Sequence, residues 1–479
     1  MEHRMFIAGE WVDGESGERM DATSPATGES LGSVPAGSRE DAQRAIKAAN
    51  AAWRGWAARS AFERAEAMER IAAVVAGRRD DLARTLTLDQ GKPLKAEAYD
   101  EVDELEQYWL MAAADARRLE GTMPPSVSAD KRVLVYRVPK GVVGVITPWN
   151  WPYTMPAEVI APALAAGNAV VWVPAPTTSV AGVKLAECIA EAELPAGVFN
   201  FVTGQGAVVG DEIAGSTDTH AVGFVGSITT GYKVAERAAG KSLLLEMGGN
   251  GPVVVLEDAD LDKAVAATLV ASFLCAGQSC TAGERFLVHE SVHDAYLDKL
   301  AAAMAKEIRL GDPFADETTM GPLNNEPVAE KMDRHIGEAV ERGAEVVSGG
   351  NRASGYPTGL YYEPTVLAGV THEMKVSTEE TFGPIVPIAT IRDEEEALAL
   401  IDASPYGLLA SVFTQDLRRG MRFAEAARAG WVNVNESSNY WESHLPFGGR
   451  AGSRSGIGRV GGRHPFETFT ETKTVIVEL

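Results

Sequence analysis

From Gly141 onward, short apolar runs rich in β-branched residues alternate with helical stretches, and this constrains the fold more than any other feature. GVVGVIT, AVVWV, VFNFVT, AVGFVG and SLLLEM follow one another, separated by stretches such as TSVAGVKLAECIAEA and ITTGYKVAERAAG. Strands joined through helices pair in parallel, and a parallel sheet needs both faces covered. After Glu246 the pattern restarts. VVVL precedes a helical stretch near 260–275, RFLVH precedes another near 291–308, and IVPIATI, LLASVFT and WVNVN come later. The expected fold class is α/β, with two open, doubly wound domains. Residues 39–120 have helical spacing and few breakers. RVLVYRVPK (132–140) and the C-terminal TKTVIVEL fit neither sheet, so they predict a small β arm whose exposed strands find partners in an oligomer.

Charge narrows the function classes. Lys and Arg number 44 against 67 Asp and Glu, a formal charge of −23. So acidic a surface repels phosphate backbones and anionic lipid, so neither nucleic acid nor a membrane is expected as a partner. An anionic cofactor would need local backbone donors or a few placed side chains. The three cysteines, Cys188, Cys275 and Cys280, are too few for a disulfide framework and suit a reducing compartment. There is no zinc-ligand spacing, so no metal is expected. The N-terminal residues show no secretion signal and no apolar run is long enough to span a bilayer, so the expected location is cytoplasmic.

Five segments could carry chemistry. FLCAGQSCTAGER (273–285) holds Cys280 among small residues, where a thiolate would have room for a substrate and a cofactor. A free cysteine is otherwise a small buried hydrophobe. LLLEMGGNGP (243–252) puts Glu246 at the carboxyl end of a strand, the ligand side of an open α/β sheet, where it could act as a base toward water or simply end the strand as a solvated acid. TPWNWP (147–152) offers the Asn150 amide at a strand-to-loop transition, as an oxyanion donor or as a turn asparagine. FVGSITTGYKVAERAAG (224–240) runs a strand through Gly226 and Ser227 into a helix carrying Gly231, whose N-terminus could receive phosphate. EETFGPIVP (379–387) carries Glu380 and Phe382, a ribose acceptor and a ring that can lie against nicotinamide.

In this order, the segments resemble the aldehyde dehydrogenase superfamily. The matching motifs are PWN at 148–150, FVGSxxxG at 224–231, LExGGN at 245–250, GQSC at 277–280, EExFGP at 379–384 and LPFGG at 445–449. The resemblance implies a Rossmann-like dinucleotide-binding domain over 1–117 and 140–248, a catalytic domain over 249–448, and an oligomerisation arm over 118–139 and 463–479. It implies NAD or NADP as cofactor and a homodimer or homotetramer. Cys280 looks like the nucleophile, Glu246 the general base, and Asn150, with the Cys280 N–H, the oxyanion donor. Thr147, Pro148, Trp149, Val173, Gly226, Ser227, Gly231, Glu380 and Phe382 fall where the family holds its cofactor. An aldehyde would then become a thiohemiacetal and a thioester on Cys280, hydrolysed with Glu246. Members that transfer the acyl group to coenzyme A generally lack this glutamate, so hydrolysis is expected. Cys188 reads as core, and Cys275 has no assigned role.

The sequence departs from the family at several positions. Val173 stands where a lysine usually reaches the adenosine ribose, and Pro176 where NAD-preferring members often have glutamate. Val159 replaces a lysine near the general base, and Val225 a frequent threonine. Two alternatives stay open: a weakened homologue with a binding or structural role, and esterase action by the same cysteine. Trp151, Met155, Ser279, Thr281 and Tyr440 are expected to line the substrate tunnel, with Trp441 near its mouth and His444 at the surface. That lining reads as aromatic and neutral, suited to an aromatic or medium aliphatic aldehyde. No arginine pair stands out as a clamp for a dicarboxylic semialdehyde, with Arg285 and Arg454 left open.

Overall fold

A computed structural model describes residues 2–479. The alternation after Gly141 does build two separate, mainly parallel sheets. In the first, the strands Ser242–Met247, Ala221–Gly226, Val142–Ile146, Ala169–Val173 and Phe199–Phe201 lie side by side in that order, all parallel. The chain moves outward from Val142–Ile146 on one side, then returns to add Ala221–Gly226 on the other. The order therefore reverses between those two strands, and a crevice opens beyond their carboxyl ends, where open α/β sheets bind ligands. Val142–Ile146 and Ala169–Val173 are buried at every position, as a parallel strand covered on both faces must be. Each such Val or Ile contributes about 1.5–3 kcal/mol relative to exposure.

The second sheet has the order Glu345–Ser348, Thr365–Ala368, Ile385–Ile391, Gly283–His289, Gly251–Val255, Leu409–Phe413, Trp431–Val434, antiparallel only at its first pair. The helices Leu261–Phe273 and His293–Glu307 stand where the sequence pattern put them. The expected helical stretch over 39–120 consists of Arg39–Ala57, Ala61–Gly77, Arg79–Gln90 and Tyr99–Ala116. Capping boxes at Ser38 and Ser60 start the first two, each with a side-chain acceptor three residues on that closes back on the cap.

The arm is a two-stranded ribbon, Lys131–Pro139 antiparallel to Thr470–Glu478. Two pieces beyond residue 448 return to the first sheet. Gly456–Ile457 pairs with Leu245 and Glu246 at its edge. The short helix Pro465–Phe469 docks on its face, its last carbonyl accepting from Asn168 Nδ2 at 3.0 Å. Among the described residues no helix is long and apolar enough to cross a membrane.

Candidate active site

Two loops and a strand end converge at the crevice of the first sheet. The loop after Val142–Ile146 brings in Asn150, which is buried and donates from Nδ2 to the Gln278 carbonyl at 3.0 Å. That bond uses one of the amide's two N–H groups. Strand Ser242–Met247 carries Glu246, which is 4% exposed, with Oε1 lacking a hydrogen-bond partner in the protein. The loop between helix Leu261–Phe273 and strand Gly283–His289 carries Cys280.

That last loop is built with care. Cys275 and Ala276 take φ values of 53° and 52°, followed by Gly277 at 72°, a left-handed run that costs the two non-glycine residues strain. Fixed partners hold it. The Cys275 N–H donates to Glu97 Oε1 at 3.0 Å, and Gln90 Nε2 donates to the Cys275 sulfur at 3.3 Å. Gln278 donates back to the Cys275 carbonyl at 2.8 Å and accepts from the Asn324 N–H at 2.8 Å. Cys275 is thus an anchor of the nucleophile loop. Burial pushes its thiol, like that of Cys188, up to about 12, so neither is a ready nucleophile.

The glycine pair after Glu246 has a steric reason. A Cβ on Gly248 would stand 2.4 Å from Glu380 Oε1, and one on Gly249 would stand 2.8 Å from the Cys280 carbonyl. The bare backbone lets the EETFGP loop and the cysteine loop both close on this strand. Glu284 draws the EETFGP loop inward: its carboxylate accepts from the N–H groups of Thr381 at 2.8 Å and Phe382 at 2.6 Å. Phe382 is held at φ 63°. Glu380 Oε1 accepts from the Gly249 N–H at 3.0 Å.

Two cavities meet at the cysteine. The larger, about 350 Å³, has Pro148, Trp149, Gly226, Ser227, Glu380 and Phe382 on its walls. The smaller, about 120 Å³, has Trp151, Glu104, Glu158, Ser279, Thr281 and Trp441 on its walls. Met155, Glu246 and Cys280 belong to both. Cys280 and the Glu246 carboxyl therefore form a neck between a wide chamber and a narrow one. At that neck, burial raises the Glu246 carboxyl to about 8, hydrogen bonding with Cys280 pulls it back, and Glu380 adds to the rise. Burial, then Glu246, pushes the Cys280 thiol well up.

Some residues singled out in the sequence lie elsewhere. Thr147 sits behind the larger cavity, its hydroxyl accepting from Trp172 Nε1 at 2.9 Å. Val173 is buried in its strand. Gly231 faces Met247, whose sulfur would stand 2.1 Å from an added Cβ, so this glycine lets the helix approach the sheet. Ser227 does stand on the wall of the larger cavity, and its side chain also caps helix Ile228–Arg237 by accepting from the Thr230 N–H. Tyr440 points outward, 47% exposed and donating to Glu442, while its neighbours Asn439 and Trp441 face the smaller cavity. His444 is exposed beside Glu442. Arg285 donates to the Asn250 and Leu400 carbonyls, and neither it nor Arg454 lines either cavity. Val159 is core: its Cγ1 would stand 2.3 Å from a Cβ on Gly223.

The neutral lining expected for the substrate side is corrected by the structure. Glu104 and Glu158 lie on it, on helices whose sequence gives no sign of which face a cavity occupies. Lys331 was missed as well. It lines the larger cavity from helix Glu326–Glu341, with Pro327 one turn earlier, and its Nζ lies 5.8 Å from the Phe382 ring centroid. The i, i+4 spacing of those two residues was the available signal.

Comparison with known proteins points to one family. The aldehyde dehydrogenase family model matches residues 11–475. The chain is 39% identical to a 3-sulfolactaldehyde dehydrogenase of Pseudomonas putida, over 99% of this chain and 97% of that one. It is 40% identical to an NADP-dependent succinate-semialdehyde dehydrogenase of Escherichia coli, again over 99% and 97%. A crystal structure of an NAD-dependent aldehyde dehydrogenase from Sinorhizobium meliloti superposes with a TM-score of 0.96 at 37% identity, covering 100% of this chain and 95% of that one.

Proposed function

The chain belongs to the aldehyde dehydrogenase family, and from that premise we propose that it oxidises an aldehyde to a carboxylic acid through a thioester on Cys280 that Glu246 helps to hydrolyse. One observation carries this: Cys280 and Glu246 form the wall shared by the two cavities, so a group in either chamber reaches the same sulfur and carboxyl.

The residues around the larger cavity fit a nicotinamide dinucleotide. Trp149 and Phe382, edge to face at 5.6 Å, offer an aromatic wall, and Glu380 and Lys331 offer an acceptor and a cation for a ribose. The N-terminus of helix Ile228–Arg237, at Ser227, opens at the same cavity and suits a pyrophosphate. A further cleft of about 340 Å³, bearing Thr230, Lys233 and Arg237, suits the adenosine end, where Val173 and Pro176 offer no polar handle. Bound there, the dinucleotide supplies the acceptor for hydride leaving the aldehyde carbon.

The chain's own residues do the rest. Ionised Glu246 takes the Cys280 proton, and the thiolate attacks the aldehyde carbon. The resulting oxyanion accepts from the Asn150 amide and the Cys280 N–H, a donor set worth about 3 kcal/mol per member in comparable sites. After hydride loss, Glu246 releases the proton taken from Cys280 to solvent and then draws another from water, whose oxygen attacks the thioester and frees the acid as the thiolate leaves. We assign residues 1–117 and 140–248 to dinucleotide binding and 249–448 to presentation of the thiol. The arm strands, with Tyr136, Ile476 and Val477 exposed, support self-association into a dimer or tetramer. The relatives' names give 3-sulfolactaldehyde and succinate semialdehyde, both anionic. Neither carries over to this chain, because the smaller cavity holds carboxyls and no basic side chain.

Two substitutions test the scheme. Cys280→Ser is expected to lower NAD(P)H production by roughly 10⁴-fold or more. Glu246→Gln is expected to slow both the first NAD(P)H formed per site and the steady-state turnover, because thiol deprotonation and hydrolysis both lose their base. Full turnover by the serine variant would sink the thioester route.

A further inference from the structure

We infer that the smaller cavity takes an aldehyde whose far end carries a positively charged nitrogen, held between the carboxyls of Glu104 and Glu158 and the rings of Tyr108 and Trp441. This rests on the proposed thioester chemistry and adds the substrate class.

The first observation is an unpaired acid. Glu158 is 3% exposed, lies on the cavity wall, and its Oε1 has no hydrogen-bond partner in the protein. A buried carboxyl left so costs stability unless something it binds compensates. The second is the company it keeps. Glu104 and Glu246 share the same cavity, and none of the fifteen residues that line it, among the described residues, is Lys, Arg or His. Lys92, the cation behind this wall, is already committed: fully buried, 2.5 Å from Glu101 Oε2 and 3.1 Å from the Trp151 ring centroid. Glu97 also crowds that lysine.

The third is the aromatic wall. Trp441 lies 6.4 Å from Tyr108 and 5.5 Å from Phe447, centroid to centroid, the last pair edge to face. Its Nε1 donates to Glu104 Oε1 at 2.7 Å, which joins ring and carboxylate into one unit. Ring faces and carboxylates both attract a cation, and the attraction is strongest where water is excluded. An anionic tail would meet no cation there and would oppose ionisation of the carboxyls.

Acids buried together without a facing cation hold their protons more tightly. Burial, then Glu104 and Glu246, holds the Glu158 carboxyl well above its ordinary range, and burial raises Glu104 to about 7. An ammonium group beside them would favour the ionised forms, so binding and loss of a proton are linked. Size limits the tail. At about 30 Å³ per water, a cavity of about 120 Å³ equals roughly four waters, enough for a short chain and a small head group.

The test compares kcat/KM on the whole enzyme, with NAD⁺ and with NADP⁺, for matched aldehydes. 3-Aminopropanal is set against butanal, trimethylammonioacetaldehyde against 3,3-dimethylbutanal, and succinic semialdehyde serves as the anion. Each cation is expected to exceed its neutral match by about tenfold or more, with the anion slowest. Within Glu158→Gln the cation-to-neutral ratio should collapse several-fold, and within Glu158→Arg the preference should turn toward the semialdehyde. Ratios read inside one variant are insensitive to a general loss of activity. If the variants do not fold, the unaltered enzyme decides: propylammonium should compete with butanal, and propionate should not. A preference for the neutral or anionic aldehyde, an unchanged ratio in Glu158→Gln, or equal inhibition by both ions overturns this inference and leaves the thioester chemistry standing. No turnover of any aldehyde overturns both.

Discussion

The two chambers on either side of Cys280 share an entrance and differ in how they treat charge. In the larger one the acid Glu380 faces the cation Lys331, and the backbone supplies donors at the helix N-terminus beside Ser227. In the smaller one Glu104, Glu158 and Glu246 stand without a facing cation, closed in by aromatic rings. The wide chamber is balanced and partly built of main chain, which suits a ligand whose own groups alternate in charge and shape. The narrow chamber is unbalanced and built of side chains, so it discriminates. On the proposed scheme, the generic half of the reaction and the selective half fall to different kinds of atoms around one sulfur.

The strongest way to break the comparison is at the neck, which both chambers need. Asn150→Ala removes an oxyanion donor and also the bond that fixes the Gln278 carbonyl, and kcat is expected to fall by roughly 10²–10³-fold. Stopped-flow measurement with either cofactor checks it, and a loss confined to aldehyde KM would contradict the role. The neck also sets the pH profile. Glu246 must be ionised to accept a proton, and its carboxyl is raised to about 8, so activity should climb with pH and level off above that value. At pH 7, one unit below, kcat/KM should stand roughly tenfold under its plateau. A flat profile between pH 6 and 9 would remove Glu246 as the base. The smallest expected effect sharpens the contrast between chambers. Lys331→Ala should raise the cofactor KM by roughly tenfold while aldehyde KM moves much less, because the lysine touches the larger cavity alone. Initial-rate titrations of each substrate separate the two.

Much of the frame could be read along the chain, because it rests on local regularities. Val142–Ile146 and Ala169–Val173 are uninterrupted apolar runs, and such runs become strands buried on both faces wherever helices separate them. PWN, LExGG and GQSC each lie at a strand end or a turn, where side-chain roles are tied to main-chain geometry. What escaped lies on helices and in the late loop. Helix Thr154–Ala165 is buried at almost every position, so its one acid, Glu158, shows no amphipathic signature to say what it faces. Lys331 is one of several charged residues outside the buried face of its helix, and only the packing of Glu326–Glu341 against the EETFGP loop selects it. Tyr440 and Trp441 are adjacent aromatics in one loop, and the fold turns the second inward and the first out. Nothing in their identities could have ordered them.

The sequence by itself determined the alternation of strands and helices, a glycine pair directly after a strand-end acid, and a thiol, a carboxyl and an amide at chain positions near strand ends and turns. Only the tertiary structure decided that these three share one neck, and that the chamber beyond it is lined with acids. The reason is physical. Periodicity and turn chemistry act between near neighbours, whereas burial, desolvation and the charge a cavity presents depend on groups dozens to hundreds of residues apart that meet only when the core closes.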